Sequence, residues 1–253
     1  MLTKEKLKQA FKGMGIKEGM VLAVHTSLGS VGYIEGGPII VIESLLKILG
    51  DDGTLVMPSM TSGEEVFDPK KTPTDEMGIV AETFWKMPLV KRSSHPNSSF
   101  AAKGKYAEEI ISEQPLDDPE GIKSPIGKVF QLNGSILLLG VSHSANTMIH
   151  LAESLSNVPY RIASDMPVLR DGKVEKVSVP LINHCCQNFN KIEPLLKSSN
   201  LLSIHQIGNG MAQLMKAKDV VETACEQLNK NRYYFLCESD CDECMQARAY
   251  VAN

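Results

Sequence analysis

Apolar positions along this chain recur with two different spacings, and their alternation predicts a sheet packed between helices. Residues 4–14 place their apolar side chains on one face of an amphipathic helix that Gly15 closes. Residues 21–24 are a short continuous apolar run, which reads as a buried strand. The run breaks into hydroxyls and glycines at His25-Thr26-Ser27-Leu28-Gly29-Ser30-Val31-Gly32. It restarts after Gly36-Gly37-Pro38 as a helix with Ile39, Ile42, Leu45, Leu46 and Leu49 apolar. A turn at Asp51-Asp52-Gly53 leads into a second strand at residues 54–57. Strand, helix, strand at this spacing predicts parallel pairing with right-handed crossovers.

Residues 58–73 lose periodicity and are rich in Ser, Glu, Asp and Pro, so they form a long loop at the carboxyl end of a strand, the edge at which α/β sheets bind ligands. A helix at 79–85, an irregular stretch at 92–102 and a short helix at 107–113 follow. Residues 135–141 read as a strand buried on both faces. Ser144 or Asn146 can cap a helix that runs to Ser156 and carries His150 and Glu153. The last third reads as an α+β elaboration. It has extended segments at 160–168 and 174–181 around a turn at Arg170-Asp171-Gly172-Lys173, a loop through 183–186 and a helix at 217–228. With no internal repeat or linker, the expected organisation is one domain over residues 1–253.

Composition narrows the class. The chain has 253 residues, 43% hydrophobic and 22% charged, enough for a large core. A formal net charge of −4 argues against nucleic-acid binding and suits a pocket that receives a cationic substrate. No apolar run approaches the roughly 20 residues that span a bilayer, so no membrane partner is expected, and the expected compartment is the cytoplasm.

All six cysteines fall in the last third, which favours free thiols or metal over disulfides in that compartment. Cys237-x3-Cys241-x2-Cys244 offers three thiolates but lacks a two-pair zinc spacing, and a fourth ligand has to come from remote His184 or Cys185. The expectation is free thiols and no metal, with Phe235, Leu236 and Tyr250 packed against the sheet.

Three places can carry chemistry. The loop after the first strand has the build of an anion site: glycines admit a ligand to the backbone, and the helix behind them presents free amides and a positive dipole end. Its glycine spacing fits neither a dinucleotide nor a P-loop fingerprint, and a plain strand-to-helix turn looks the same. His150 and Glu153 share one helix face, where a carboxylate raises imidazole basicity and sets the tautomer; a surface ion pair or a core histidine is the plainer alternative. His95-Pro96, among serines, either grips a phosphate or carbonyl or forms a structural turn. His184 before two cysteines is open to three roles: metal ligand, thiol activator or substrate-facing base. No G-x-S-x-G elbow is present, which disfavours a Ser-His-Asp hydrolase.

Read in order, eight blocks from Val21 to Arg161 resemble the aminoglycoside 3-N-acetyltransferase family. They are Val24-His25-Thr26-Ser27-Leu28 with Gly36-Gly37, Gly53 to Pro58, Met77 to Phe84, Arg92-Ser93-Ser94-His95-Pro96, Ser99 to Gly104, Ser124-Pro125, Leu137 to Gly140, and Asn146-Thr147 with His150-Leu151-Ala152-Glu153. The segment from His184-Cys185 to Gly208-Asn209-Gly210 is similar to the Gram-positive chromosomal branch.

The resemblance implies a three-layer α/β/α sandwich with a largely parallel central sheet, distinct from the common acetyltransferase fold. It implies acetyl-coenzyme A as donor, a 2-deoxystreptamine amine as acceptor, and antibiotic inactivation as the outcome. It assigns the coenzyme to His25, Thr26, Ser27, Leu28, Gly29, Ser30, Val31, Gly36 and Gly37, with Ser98, Ser99 and Phe100. The general base becomes His150 beside Glu153, with His184 as a second active-site histidine. In resistance members the segment before Met77 is longer, acidic and rich in tryptophan. Here it is short, leaving Glu64, Glu65, Asp68, Asp75, Glu76 and Glu82 as ammonium partners and Phe67 as the aromatic wall. Two alternatives follow from that shortening: acetyl transfer to a non-antibiotic amine, or coenzyme A binding without transfer.

Overall fold

A seven-stranded mixed sheet forms the middle layer of the computed structural model, which describes residues 2–170, 172–238 and 241–251. In chain order the elements are α1 (Lys4–Gly13), β1 (Val21–Thr26), α2 (Leu28–Val31), α3 (Gly37–Leu49), β2 (Thr54–Pro58), α4 (Gly78–Trp85), β3 (Lys91–Arg92), β4 (Phe100–Gly104), α5 (Ala107–Ile111), α6 (Pro125–Gln131), β5 (Ser135–Leu139), α7 (Met148–Leu155), β6 (Ile162–Arg170), β7 (Lys173–Leu181), α8 (Ile192–Ser198), β8 (Leu202–Ile207), β9 (Gly210–Lys216), α9 (Ala217–Lys230) and α10 (Asp242–Val251).

Strand order is β3-β4-β2-β1-β5-β9-β8. Parallel pairing holds at the centre, where β1 lies between β2 and β5. Outward from there every pairing is antiparallel: β4 on β2, β3 on β4, β9 on β5 and β8 on β9.

Burial on both faces explains the apolar strands. Leu22 and Val24, Leu55 and Met57, and Leu137 and Leu139 join Leu7 and Phe11 of α1, Leu45 of α3 and Phe84 of α4 in one core. The alternate residues Ala23, Val56, Ile136 and Leu138 face the other way, onto Val129 of α6, Leu151 of α7 and Val220 of α9. This is the three-layer sandwich, helices on both sides of one sheet.

Several elements had no periodic signal. β4 sits in the stretch read as irregular, since Phe100-Ala101-Ala102-Lys103-Gly104 carries no alternation. α6 was not predicted either, although it is capped in the usual way: Ser124 Oγ accepts from the Gly127 N–H at 3.1 Å and Pro125 occupies the first turn. The β6–β7 hairpin forms its own two-stranded sheet with a small core of Met166, Val168, Val179 and Leu181. Asp171, within its predicted turn, lies outside the described residues. Phe235 and Leu236 are buried as expected, but Tyr250 is 47% exposed and does not pack on the sheet. No helix among the described residues is long and apolar enough to cross a membrane.

Candidate active site

The carboxyl ends of β1, β2 and β5 open onto a cleft of about 600 Å³. Gly140, at φ +72°, makes the sharp exit from β5 possible; a Cβ there would collide with the Ser27 carbonyl and Val31. Beyond that turn, residues 144–147 run along the cleft and α7 begins.

Glu153, on the buried face of α7, is the hub. One carboxylate oxygen accepts from His150 Nδ1 at 2.8 Å. The other accepts from His184 Nε2 at 2.9 Å and from the Tyr160 hydroxyl at 2.7 Å. Burial alone would drive the Glu153 carboxyl upward, but charge and hydrogen bonds from the two histidines outweigh it and hold the group at about 2. The i, i+3 spacing is therefore a buried pair, not a surface one. Its nitrogens and oxygens stand at hydrogen-bond separations, whereas two ligands of one tetrahedral ion lie about 3.3 Å apart.

His150 is consequently fixed with Nδ1–H on the carboxylate and Nε2 toward the cleft, 3.4 Å from Cys186 Sγ. Burial lowers its proton affinity, yet the Cys186 sulfur and the Glu153 carboxylate raise it well above 6.5 on balance. His184 is differently placed. Its Nε2 is occupied by Glu153, and its Nδ1 accepts the Cys186 N–H at 3.2 Å. With both nitrogens engaged and its side chain fully buried, His184 orients Glu153 and the Cys186 loop. Phe189 packs edge-on against both imidazoles, with centroids 4.9 and 5.2 Å away.

Two further histidines resolve. His95 accepts the Ser98 N–H on Nδ1 at 2.8 Å and donates from Nε2 to the Leu116 carbonyl at 3.2 Å, so it is the structural turn. It holds Ser98 at the cleft wall. His25 is buried, 3.3 Å from the Thr147 hydroxyl, and burial drives its pKa down to about 4.

A sequence model of the aminoglycoside 3-N-acetyltransferase family matches residues 23–229. The chain belongs to that family. It is 43% identical to an aminoglycoside N(3)-acetyltransferase IV from Salmonella sp, over 88% of this chain and 86% of the relative. It is also 30% identical to a prophage-derived aminoglycoside N(3')-acetyltransferase-like protein from Bacillus subtilis, over 88% and 90% of the two chains. Among solved structures, aminoglycoside acetyltransferase AAC(3)-IVa superposes with a TM-score of 0.94 at 41% identity, covering 98% of this chain and 97% of that one. A histidine-to-alanine variant of that enzyme has been solved with a gentamicin and with apramycin.

The residues that the aminoglycoside 3-N-acetyltransferase resemblance assigns to the coenzyme divide into three groups. His25, Thr26 and Ser98 line the cleft. Ser27, Leu28, Gly29, Ser30, Val31, Gly36 and Gly37 follow β1 outside the cleft wall, with Gly36 and Gly37 at φ +83° and +63° before α3. Ser99 is buried with its hydroxyl on the Ser59 carbonyl, and Phe100 lies in the core of β4.

The assigned acceptor carboxylates are dispersed. Glu82 accepts from Thr74 and Trp85, pairs with Lys86 and is held at about 2 by those bonds against its burial. Asp68 closes a local turn on the Lys70 amide. Glu64, Glu65 and Asp75 are exposed, and of the six only Glu76 lines the cleft. The carboxylates that do line it are Glu76 and Glu120. Glu120 escaped the sequence reading; its one signal is the acidic run Asp117-Asp118-Pro119-Glu120. Phe67 is no cleft wall either: Arg92 stacks between it and Trp85, 4.8 and 4.7 Å from the two rings.

Proposed function

We propose that this chain transfers the acetyl group of acetyl-coenzyme A directly to an aminoglycoside amine, at the 3-position of 2-deoxystreptamine, with His150 as general base. The observation that carries this reading is the His150 ring, turned by buried Glu153 so that Nε2 faces a cleft lined with carboxylates. Only a neutral amine attacks a thioester. Nε2 takes the amine proton as the N–C bond forms, hydroxyls and amides along the cleft meet the oxyanion, and coenzyme A leaves as thiolate. Glu76 and Glu120 hold the acceptor's other ammonium groups. The coenzyme enters past residues 27–37, its pyrophosphate on the α3 amides and its pantetheine arm beside Thr26 and Ser98.

The work is done by one domain spanning residues 1–253, in the cytoplasm, where acetyl-coenzyme A is available. Placement in the Gram-positive chromosomal branch draws support from the Bacillus relative.

Mixing the protein with acetyl-coenzyme A and separate aminoglycosides or polyamines, then following free thiol, tests the reaction. Thiol release with gentamicin or apramycin is the expected result. Release with polyamines alone would move the acceptor to another amine class, and release with none would leave a coenzyme-binding protein.

One contact favours a second reading. Cys186 Sγ, His150 Nε2 and Glu153 form a nucleophile, base and carboxylate chain. In that route the sulfur attacks the thioester carbonyl, the cysteine proton passes through His150 to the departing coenzyme A, and acetyl-Cys186 then acylates the amine. Intact mass after incubation with acetyl-coenzyme A alone separates the two. Direct transfer predicts no acetyl adduct and a Cys186→Ala variant that retains turnover within about tenfold; an adduct lost in that variant supports the relay.

Gly37→Val tests the donor site. A Cβ at Gly37 meets nothing within 4 Å, whereas one at Gly36 runs into Ile40. Valine at Gly37, at positive φ, is expected to cost about 1–2 kcal/mol of stability and to weaken coenzyme A binding in calorimetry. Unchanged affinity would put the pyrophosphate elsewhere.

A further inference from the structure

Four of the six cysteines converge beside the cleft. Cys185, from the loop after β7, meets Cys237, Cys241 and Cys244, and the four Sγ atoms all lie within 4.8 Å of one another. Cys185 Sγ is 3.4 Å from Cys237 Sγ and 3.6 Å from Cys244 Sγ. Sulfurs at the corners of a zinc tetrahedron, each about 2.3 Å from the ion, stand about 3.8 Å apart. All four cysteines are free, so no disulfide accounts for the gathering.

The surroundings also suit a metal. Cys241 immediately precedes α10, at the amino end of that helix. Arg248 donates to the Cys237 carbonyl at 3.1 Å, bringing a cation to a cluster that would carry a net charge of about −2 once four thiolates surround a divalent ion.

We propose that Cys185, Cys237, Cys241 and Cys244 bind one structural zinc ion. Four sulfur ligands leave no open position, so the ion stays outside the acetyl transfer itself. As the Zn–S bonds form, the thiols release their protons to solvent. The fourth ligand that sequence spacing could not supply is Cys185, next to His184 and Cys186. The ion would therefore pin the loop that orients Glu153 to the chain segment leading into α10. This reverses the expectation of free thiols and stands independently of the proposed reaction.

Elemental analysis of the full chain, purified without chelator, is expected to find one zinc per chain. Under native conditions a thiol reagent should reach at most Cys186 and Cys225, and a mercurial should release the zinc. Cys241→Ser should lower zinc content to about a tenth or less of an equivalent, while Cys225→Ser keeps it. If Cys241→Ser does not fold, cobalt exchanged into the wild-type protein reads the same site through its tetrahedral thiolate absorption. Zinc below about a tenth of an equivalent with all four thiols reactive, zinc retained in Cys241→Ser, or iron in place of zinc would each overturn the assignment.

Discussion

Replacing His150 with alanine is expected to lower kcat by about two to four orders of magnitude, the usual loss when a general base is removed, with coenzyme A affinity kept within a few-fold. The ring lies at the cleft floor and not in residues 27–37, so donor binding survives its loss. The pH profile of the wild-type enzyme checks the role independently of the variant. Because, against burial, the Cys186 sulfur and the Glu153 carboxylate raise His150 above the ordinary imidazole range, kcat/KM should climb on the alkaline side of that range as Nε2 deprotonates. A flat profile between about pH 6 and 9, or a variant with wild-type turnover, would remove His150 from the reaction.

Glu153→Ala is expected to damage both stability and turnover. It leaves His184 and the Tyr160 hydroxyl without their carboxylate partner at fully buried positions. Breaking a buried charged network in this way costs about 3–5 kcal/mol, a fall in Tm on the order of 10 °C for a chain of this size. Should that variant not fold, Glu153→Gln keeps the volume and tests the electrostatics. With the charge gone, the alkaline limb of kcat/KM should move toward lower pH while the plateau drops. A limb that stays in place would mean that Glu153 does not tune His150.

The same pair sets how stability depends on pH. Glu153, held at about 2 against an ordinary 4.5, contributes fully above pH 4.5 and loses that contribution as pH falls toward 2. His150, raised above 6.5, contributes fully below 6.5 and loses it as pH rises through its folded value. Thermal melts should therefore be highest between those limits.

Much of the frame was legible because burial on two faces demands continuous apolar strands: β1, β2 and β5 announced themselves in this way, and glycines marked the ends of α1 and α3. The antiparallel edges were not, since Phe100-Ala101-Ala102-Lys103-Gly104 has no alternation and its main partner, β2, lies far back along the chain. In the site, His150 and Glu153 could be paired because helix geometry converts a spacing of three into contact. Nothing in the spacing brings His184, Cys186 or Tyr160 to them; tertiary packing does, of the loop after β7 for the first two and of the segment before β6 for Tyr160. Charge alone was a partial guide to the cleft carboxylates: Glu76 lines the cleft and most of the others do not. Glu82 is acidic and near the right block, yet Thr74, Trp85 and Lys86 already satisfy it, whereas Glu120 reaches the cleft from a turn without a motif.

Gln246 lines the cleft from α10, and Cys244 and Ala247 sit in the core that also holds Ile149 and Leu151 of α7. A nascent polypeptide that already carries every histidine thus lacks part of its cleft wall and core until α10 has left the ribosome. Alleles truncated before α10 should lose the proposed acetyl transfer even though the codons for His150, Glu153 and His184 are intact. A survey that scored alleles by those codons alone would count such truncations as active.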